Sequence, residues 1–368
     1  MTNLWKFSRI AGFALALAVA MGSCAGDRST DPLPEGGGDP PVAPPPAPPP
    51  PPPPPAPSGD PGIGFVIWSA DGTPRVIPGQ PLTRELAVVD INDSGEVAGI
   101  IIDLQGRYSE GFVWSESAGF KRLGTLGGFD GGVIVRGINA SGIVTGYKYA
   151  FTGSGTQSFV ASRKTALQVI PFEGFASMGI NDGGTVAGSR VDGPITWHPQ
   201  SGLKSLQGMP AECSVPTDIN IKGDVLGWSG NELYGMGCVP QDWIVWRQGA
   251  PPATIMSCPT GCRLDLLAFN DEGMAAGLLP DTAVRVSVNS LISATTMEKL
   301  PGAGAHDINE RGDIAGAMRE QNAPPFMFTL PYIWKANGAV VRLELPSGAT
   351  RGAAVAINNN GVAVGRTW

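Results

Sequence analysis

An all-β fold is predicted by three features of the 368-residue sequence. Gly (52) and Pro (35) make up roughly a quarter of the chain, about twice the usual share, which disfavours helix bundles and coiled coils. Seven segments share an Asn-x-x-Gly core at intervals of 39 to 50 residues, the mark of a repeated supersecondary unit. The repeated region also starts and stops in mid unit, so its two incomplete ends complement one another. Repeats of about 40 to 45 residues with four strands each are the signature of propeller blades. Six internal units plus one composite unit therefore predict a seven-bladed β-propeller over 61–368. An open β-solenoid is the other architecture, and it needs capping units that the sequence does not show.

In chain order the first element is an export signal over 1–23. Lys6 and Arg9 supply a positive start, and the apolar stretch from Ile10 to Met21 is shorter than the ~20 residues a membrane span requires. Met21-Gly22-Ser23-Cys24 resembles a bacterial lipobox, with Met21 in place of the usual Leu. That resemblance implies a diacylated Cys24; ordinary cleavage, leaving Cys24 as a thiol or removing it, is the other reading. Ala25 follows it, which by resemblance to Gram-negative sorting rules implies the outer membrane. Residues 24–60 form a tether: 14 of the 18 residues from Pro40 to Pro57 are proline, and fixed φ with no backbone donors holds such a run near polyproline II. At ~3.1 Å per residue it spans roughly 55 Å.

The repeat cores are INDSGEVAG, INASGIVTG, INDGGTVAG, INIKGDVLG, FNDEGMAAG, INERGDIAG and INNNGVAVG. Asn is favoured at the first position of a type I turn, and Gly at the fourth, where φ can turn positive. The structural turn pairs are thus Asn92 with Gly95, Asn139 with Gly142, Asn181 with Gly184, Asn220 with Gly223, Asn270 with Gly273, Asn309 with Gly312, and Asn358 with Gly361. In the first full unit, β-rich flanks predict strand A at Ala87 to Ile91 and strand B at Glu96 to Asp103. An aromatic run at Gly111 to Glu116 predicts strand C, and Phe120 to Leu123 strand D. Before this unit, Gly64 to Trp68 and Pro74 to Gly79 read as C and D without A or B; at the other end, Ile357 to Trp368, which holds the last core, reads as A and B alone.

The cores, together with strands such as GFVW ending at Trp114 and the LGTLGG turn at Leu123 to Gly128, resemble the HAF-type extracellular repeats of bacteria. The resemblance covers Gly62 to Trp368. No His precedes the Phe of any strand C, so the name-giving triad is reduced to Phe112, Trp114 and their equivalents. The family implies an exported repeat domain and no known activity.

Composition narrows the function. A net charge of −7 lacks the clustered cations that nucleic acids require, and two histidines leave little material for His-based chemistry. No linear motif for covalent, phosphate or metal chemistry is present, so no cofactor and no metal is expected. Asp90-Ile91-Asn92-Asp93-Ser94-Gly95 has the opening of a calcium loop, but its counterparts lack the ligand set and turn formation accounts for it. His198 and His306 read as solvated or hydrogen-bonded, with His306 able to line a central channel. Cys213, Cys238, Cys258 and Cys262 are even in number in an exported chain, which predicts two disulfides. The preferred pairing is Cys213 with Cys238 and Cys258 with Cys262.

The turns between A and B are short. The connections from B to C read as long at Tyr147 to Gln157, Trp228 to Asp242 and Ala317 to Pro331. They carry Tyr147, Tyr149, Phe151, Trp228, Tyr234, Phe326 and Phe328, which suit a ligand-binding face; the alternative is that these rings fold back over the blade tops. The expected function is an envelope-anchored binding or scaffolding lipoprotein of the outer membrane, periplasmic or surface-exposed. It would act as a monomer that meets the membrane through its lipid anchor only and binds a protein or glycan partner. A hydrolase or lyase at the channel mouth is the rival, to be recognised by carboxylates converging there with raised pKa values.

Overall fold

The computed structural model describes residues 64–77, 85–102, 109–124, 132–149, 156–190, 192–208, 213–233, 237–258, 263–320 and 327–368. The signal, Cys24 and the tether lie outside them, as do Phe151, Tyr234, Phe326, Cys262 and the side chain of Cys238. The described residues belong to one compact unit, Gly59–Trp368. They form seven four-stranded antiparallel sheets arranged as a seven-bladed β-propeller.

Blade one contains β3 (Glu85–Ile91), β4 (Val97–Ile102), β5 (Ser109–Ser115) and β6 (Gly119–Gly124), each within about two residues of the predicted strand. Blades two to six repeat the order, with innermost strands β7 (Val133–Ile138), β11 (Ala176–Ile180), β15 (Ser214–Ile219), β19 (Asp265–Phe269) and β23 (Ala303–Ile308). The composite blade runs β2-β1-β28-β27. There β1 (Gly64–Trp68) lies between β2 (Pro74–Val76) and β28 (Ala363–Thr367), with β27 (Gly352–Ile357) innermost. Five residues of β1 pair with β28, from Gly64 opposite Thr367 to Trp68 opposite Ala363, so the two ends of the described chain close the ring.

The repeat consensus is explained by backbone geometry. In blade one, Gly95 N donates to Asn92 O at 3.0 Å and Asn92 N to Glu96 O at 3.0 Å. The Asn92 side chain accepts from Glu96 N at 2.9 Å, and Gly95 has φ +76°. The last glycine of the core answers a different demand. A Cβ on Gly99 would lie 2.4 Å from Ala87 O and 2.7 Å from the Phe112 ring, because the aromatic ring of strand C lies flat over the A–B pair. Phe112 is buried there together with Trp114, Phe65 and Val97. Each innermost strand also carries a register shift just before its turn, as between Val88 and Asp90 and between Val135 and Gly137, and such bulges re-aim the side chains that follow.

The connections from B to C are shorter than the sequence predicts. In blade four β16 (Val225–Leu233) and β17 (Gly237–Trp246) continue the hairpin through most of the segment expected as a loop. The aromatic predictions change accordingly. Tyr147 lies on β8 (Val144–Lys148) and Trp228 on β16, each 6 % exposed, so both are core residues. Phe328 opens β25 (Phe328–Trp334) and is half-buried, its ring 3.2 Å from where a Cβ on Gly304 would stand. Tyr149, also half-buried, follows β8. Inner strands of a propeller pack against a neighbour on both faces, so a large ring at the end of strand B has a blade to cover it.

Candidate functional site

The face that carries the Asn-x-x-Gly turns converges on the central channel, and its geometry follows from those turns. Asn92 donates through Nδ2 to Asn139 O (3.1 Å), Asn139 to Asn181 O (3.1 Å) and Asn181 to Asn220 O (2.8 Å). Asn270 continues to Asn309 O (3.0 Å), Asn309 to Asn358 O (3.0 Å), and Asn358 back to Asn92 O (3.1 Å) across the chain ends. Six of the seven repeat asparagines therefore shape their own turn with one side-chain atom and grip the next blade with the other, while the Asn220 side chain, among the described residues, makes only the bond within its turn.

A second ring lies one residue further on. Ala140 N donates to Asp182, Ile221 N to Asp271, Asp271 N to Glu310, Glu310 N to Asn359 and Asn359 N to Asp93, all at 2.7–2.9 Å. The remaining two steps would need an acceptor from Ala140 and Ile221, which have none. At this mouth Asp93, Asp182, Asp307, Glu310 and Asn359 are among the residues lining a polar cavity of about 150 Å³.

Deeper in, the bulge turns three aspartates into the seams between blades. Asp90 accepts from Ile91 N (2.7 Å) and, across the seam, from Ile138 N (2.9 Å). Asp218 accepts in the same way from Ile219 N and Phe269 N, and Asp307 from Ile308 N and Ile357 N. Burial pushes the Asp90 carboxyl up to about 6, opposed by its two amide bonds. It pushes Asp218 up to about 7 and Asp307 well above the usual carboxylate range, with Asp90 the next contributor. Glu310 at the mouth is raised by burial as well.

The sequence-predicted residues divide sharply. All seven Asn-x-x-Gly pairs lie at this face, whereas the described aromatics of the B to C connections, Tyr147, Tyr149, Trp228 and Phe328, lie in or beside strands B and C. The oxygens of the calcium-like stretch are occupied within the fold: Asp90 caps amides, Asn92 closes its turn, and Asp93 accepts from Asn359 through both oxygens. His306 sits on an innermost strand, its Nδ1 2.6 Å from Ala354 O, and burial lowers its pKa. His198 is on the surface, its Nε2 3.1 Å from Gly183 O. Cys213 and Cys258 are each disulfide-bonded. The three capping aspartates were not singled out as a set, although a signal exists: Asp stands two residues before the repeat Asn in three of seven units.

No family model matches the chain, and no curated protein matches it. Among solved structures it is similar to a chain of the mitotic checkpoint complex, at TM-score 0.48 and 11 % identity over 85 % of this chain and 96 % of that one. A putative TolB from Agrobacterium tumefaciens gives TM-score 0.41 and 12 % identity, over 83 % and 97 %. A prolyl endopeptidase gives 0.45 and 12 %, over 73 % of this chain and 44 % of that one, so the chain spans less than half of that enzyme's length. At these identities the likeness concerns the fold alone.

Proposed function

We propose that this chain is an exported lipoprotein of the HAF-repeat type, anchored by Cys24, whose propeller acts as a binding or scaffolding module at the cell envelope. The partner is a protein or glycan, and the Pro-rich segment is the stalk. The observation that carries this reading is the division of labour among the strand connections. The turn face is locked from blade to blade by side-chain bonds to backbone, while the longer connections leave from the opposite face, the arrangement of a rigid scaffold that presents loops. Export favours pairing Cys213 with Cys238, whose flanking strands share blade four, and Cys258 with Cys262.

Converging carboxylates with raised pKa values were the sign by which a hydrolase or lyase would be recognised, and they are present. Both oxygens of Asp90, Asp218 and Asp307 nevertheless accept backbone amides. Their arrangement suits joining blades better than attacking a substrate, which weighs for the binding reading.

The test is localisation. A Cys24→Ala variant is expected to leave the membrane fraction while keeping a folded propeller. Protease added to intact cells is expected either to release the propeller or to spare it until the outer membrane is permeabilised, which separates the surface from the periplasmic orientation. Recovery of the unaltered chain in the cytosol with its first 23 residues retained would overturn the reading.

A further inference from the structure

Seven innermost strands present seven inner-edge amides at the position before the repeat Asn: Ile91, Ile138, Ile180, Ile219, Phe269, Ile308 and Ile357. Each lies in a register pair next to the turn, as Ile91 does opposite Val97 and Ile180 opposite Val186, which directs its N–H toward the channel. The three aspartates accept from six of them, two each. The seventh is Ile180. Its own strand and the preceding blade carry Gly179 and Gly137 at the position that Asp90, Asp218 and Asp307 occupy in blades one, four and six, and no described side chain accepts from it.

The same seam holds two further donors in want of an acceptor. Arg136 is the one Lys or Arg on the seven innermost strands. Its Nη2 lies 3.1 Å from Met178 Sδ of β11, and its guanidinium rests 5.7 Å from the Tyr147 ring centroid. Its Nε is buried without a hydrogen-bond partner, as is Ser177 Oγ on β11. Ser177 faces blade two, since it pairs with Gly188 beside the Gly179–Ala187 pair and so points opposite to Gly179, whose Cβ direction meets Asp218 of blade four; its N–H also reaches Ser158 Oγ of blade two at 2.8 Å. Burial lowers the pKa of Arg136, partly offset by Tyr147, and no carboxylate acts on it. A buried guanidinium without an anion is costly unless something supplies one.

We propose that the inner edge of blades two and three, formed by Ile180 N, Arg136 Nε and Ser177 Oγ, is a binding site for the carboxylate of a small acidic ligand entering the channel. The ring itself argues for this chemistry, because six equivalent amides are already capped by carboxylates. Two or three donors also match the two oxygens of a carboxylate better than the larger demand of a phosphate. The site does not depend on where the propeller is located, so its failure leaves the envelope reading intact.

The test uses the purified full-length chain, labelled with ¹⁵N at arginine, with the Arg136 Nε–Hε resonance identified by its loss in Arg136→Lys. Sodium acetate and sodium glucuronate are titrated against sodium chloride at constant ionic strength, with inorganic phosphate in parallel. The expected result is a saturable shift of this resonance with the carboxylates and none with chloride. Gly137→Asp is expected to abolish the shift by placing an internal carboxylate at Ile180 N; its Cβ would sit 3.4 Å from Asp90 Oδ2 and 3.7 Å from Ile180, and Gly137 has no positive φ. A resonance that moves with chloride as it does with acetate, moves with phosphate alone, or keeps its acetate response in Gly137→Asp overturns the assignment.

Discussion

Arg285 shows what one side chain does in a structure of this kind. It is 2 % exposed, lies on β21 (Thr282–Ser287) and reaches out of its own blade. There it donates to Gly312 O (2.9 Å), Lys335 O (3.1 Å) and Ala336 O (3.2 Å). The same guanidinium pairs with Glu298 and stacks over Trp334 at 4.5 Å, so one cation ties the turn between the last two strands of blade six to blade five. Removing it leaves the buried Gly312 carbonyl without its partner. Arg285→Ala is expected to cost about 3 kcal/mol, read as a lower urea midpoint with an unchanged slope. Arg285→Lys should recover only part of this, because an ammonium lacks the planar fork.

At the scale of the strand, the two glycines of each repeat core predict different costs. Gly95 needs its left-handed conformation but has open space around a Cβ, so Gly95→Ala is expected to cost about 1 kcal/mol. Gly99 has ordinary φ and no space, so Gly99→Ala must displace Phe112 or separate strands A and B, at about 3 kcal/mol. Equal losses in a thermal melt would refute this assignment of roles. The turns were legible because Asn at the first and Gly at the fourth position is a local signal, and the strands because Val, Ile and aromatic runs flank them. The capping by Asp90, Asp218 and Asp307 was hidden because it depends on a one-residue bulge that sequence does not display. Tyr147 and Trp228 were misplaced for a related reason: with a neighbour on both faces, a strand such as VTGYK is buried throughout and loses the alternation that marks where a strand ends. The free amide of Ile180 could not be read from any single repeat, since it is defined by what its neighbours already occupy.

For the whole ring, the raised carboxyl pKa values set a pH dependence. Asp90 and Asp218 titrate at about 6 and 7 in the folded chain against ~3.9 when unfolded. The folded state therefore holds their protons more tightly across that window. Their contribution to stability is complete below pH ~4 and is lost as pH rises through 6 to 7. His306, lowered by burial, acts in the opposite sense below its unfolded value of ~6.5. The melting temperature is expected to fall from pH 5 to pH 8, and Asp218→Asn to flatten that slope. A melting temperature that rises over this range in the unaltered chain would show that the seam carboxylates are ionised without strain.

The union of β1 with β28 also sets a thermodynamic toll on the ring. Bringing together segments separated by roughly 300 residues of chain costs about 5 kcal/mol in loop entropy, and five residue pairs together with the Asn358 to Asn92 bond have to outweigh it. Gly64 stands opposite Thr367, so a peptide linkage between the two ends would span a short gap and confine the unfolded chain as well as the folded one. In that backbone-cyclised form no seam is privileged by the place where the chain begins and ends.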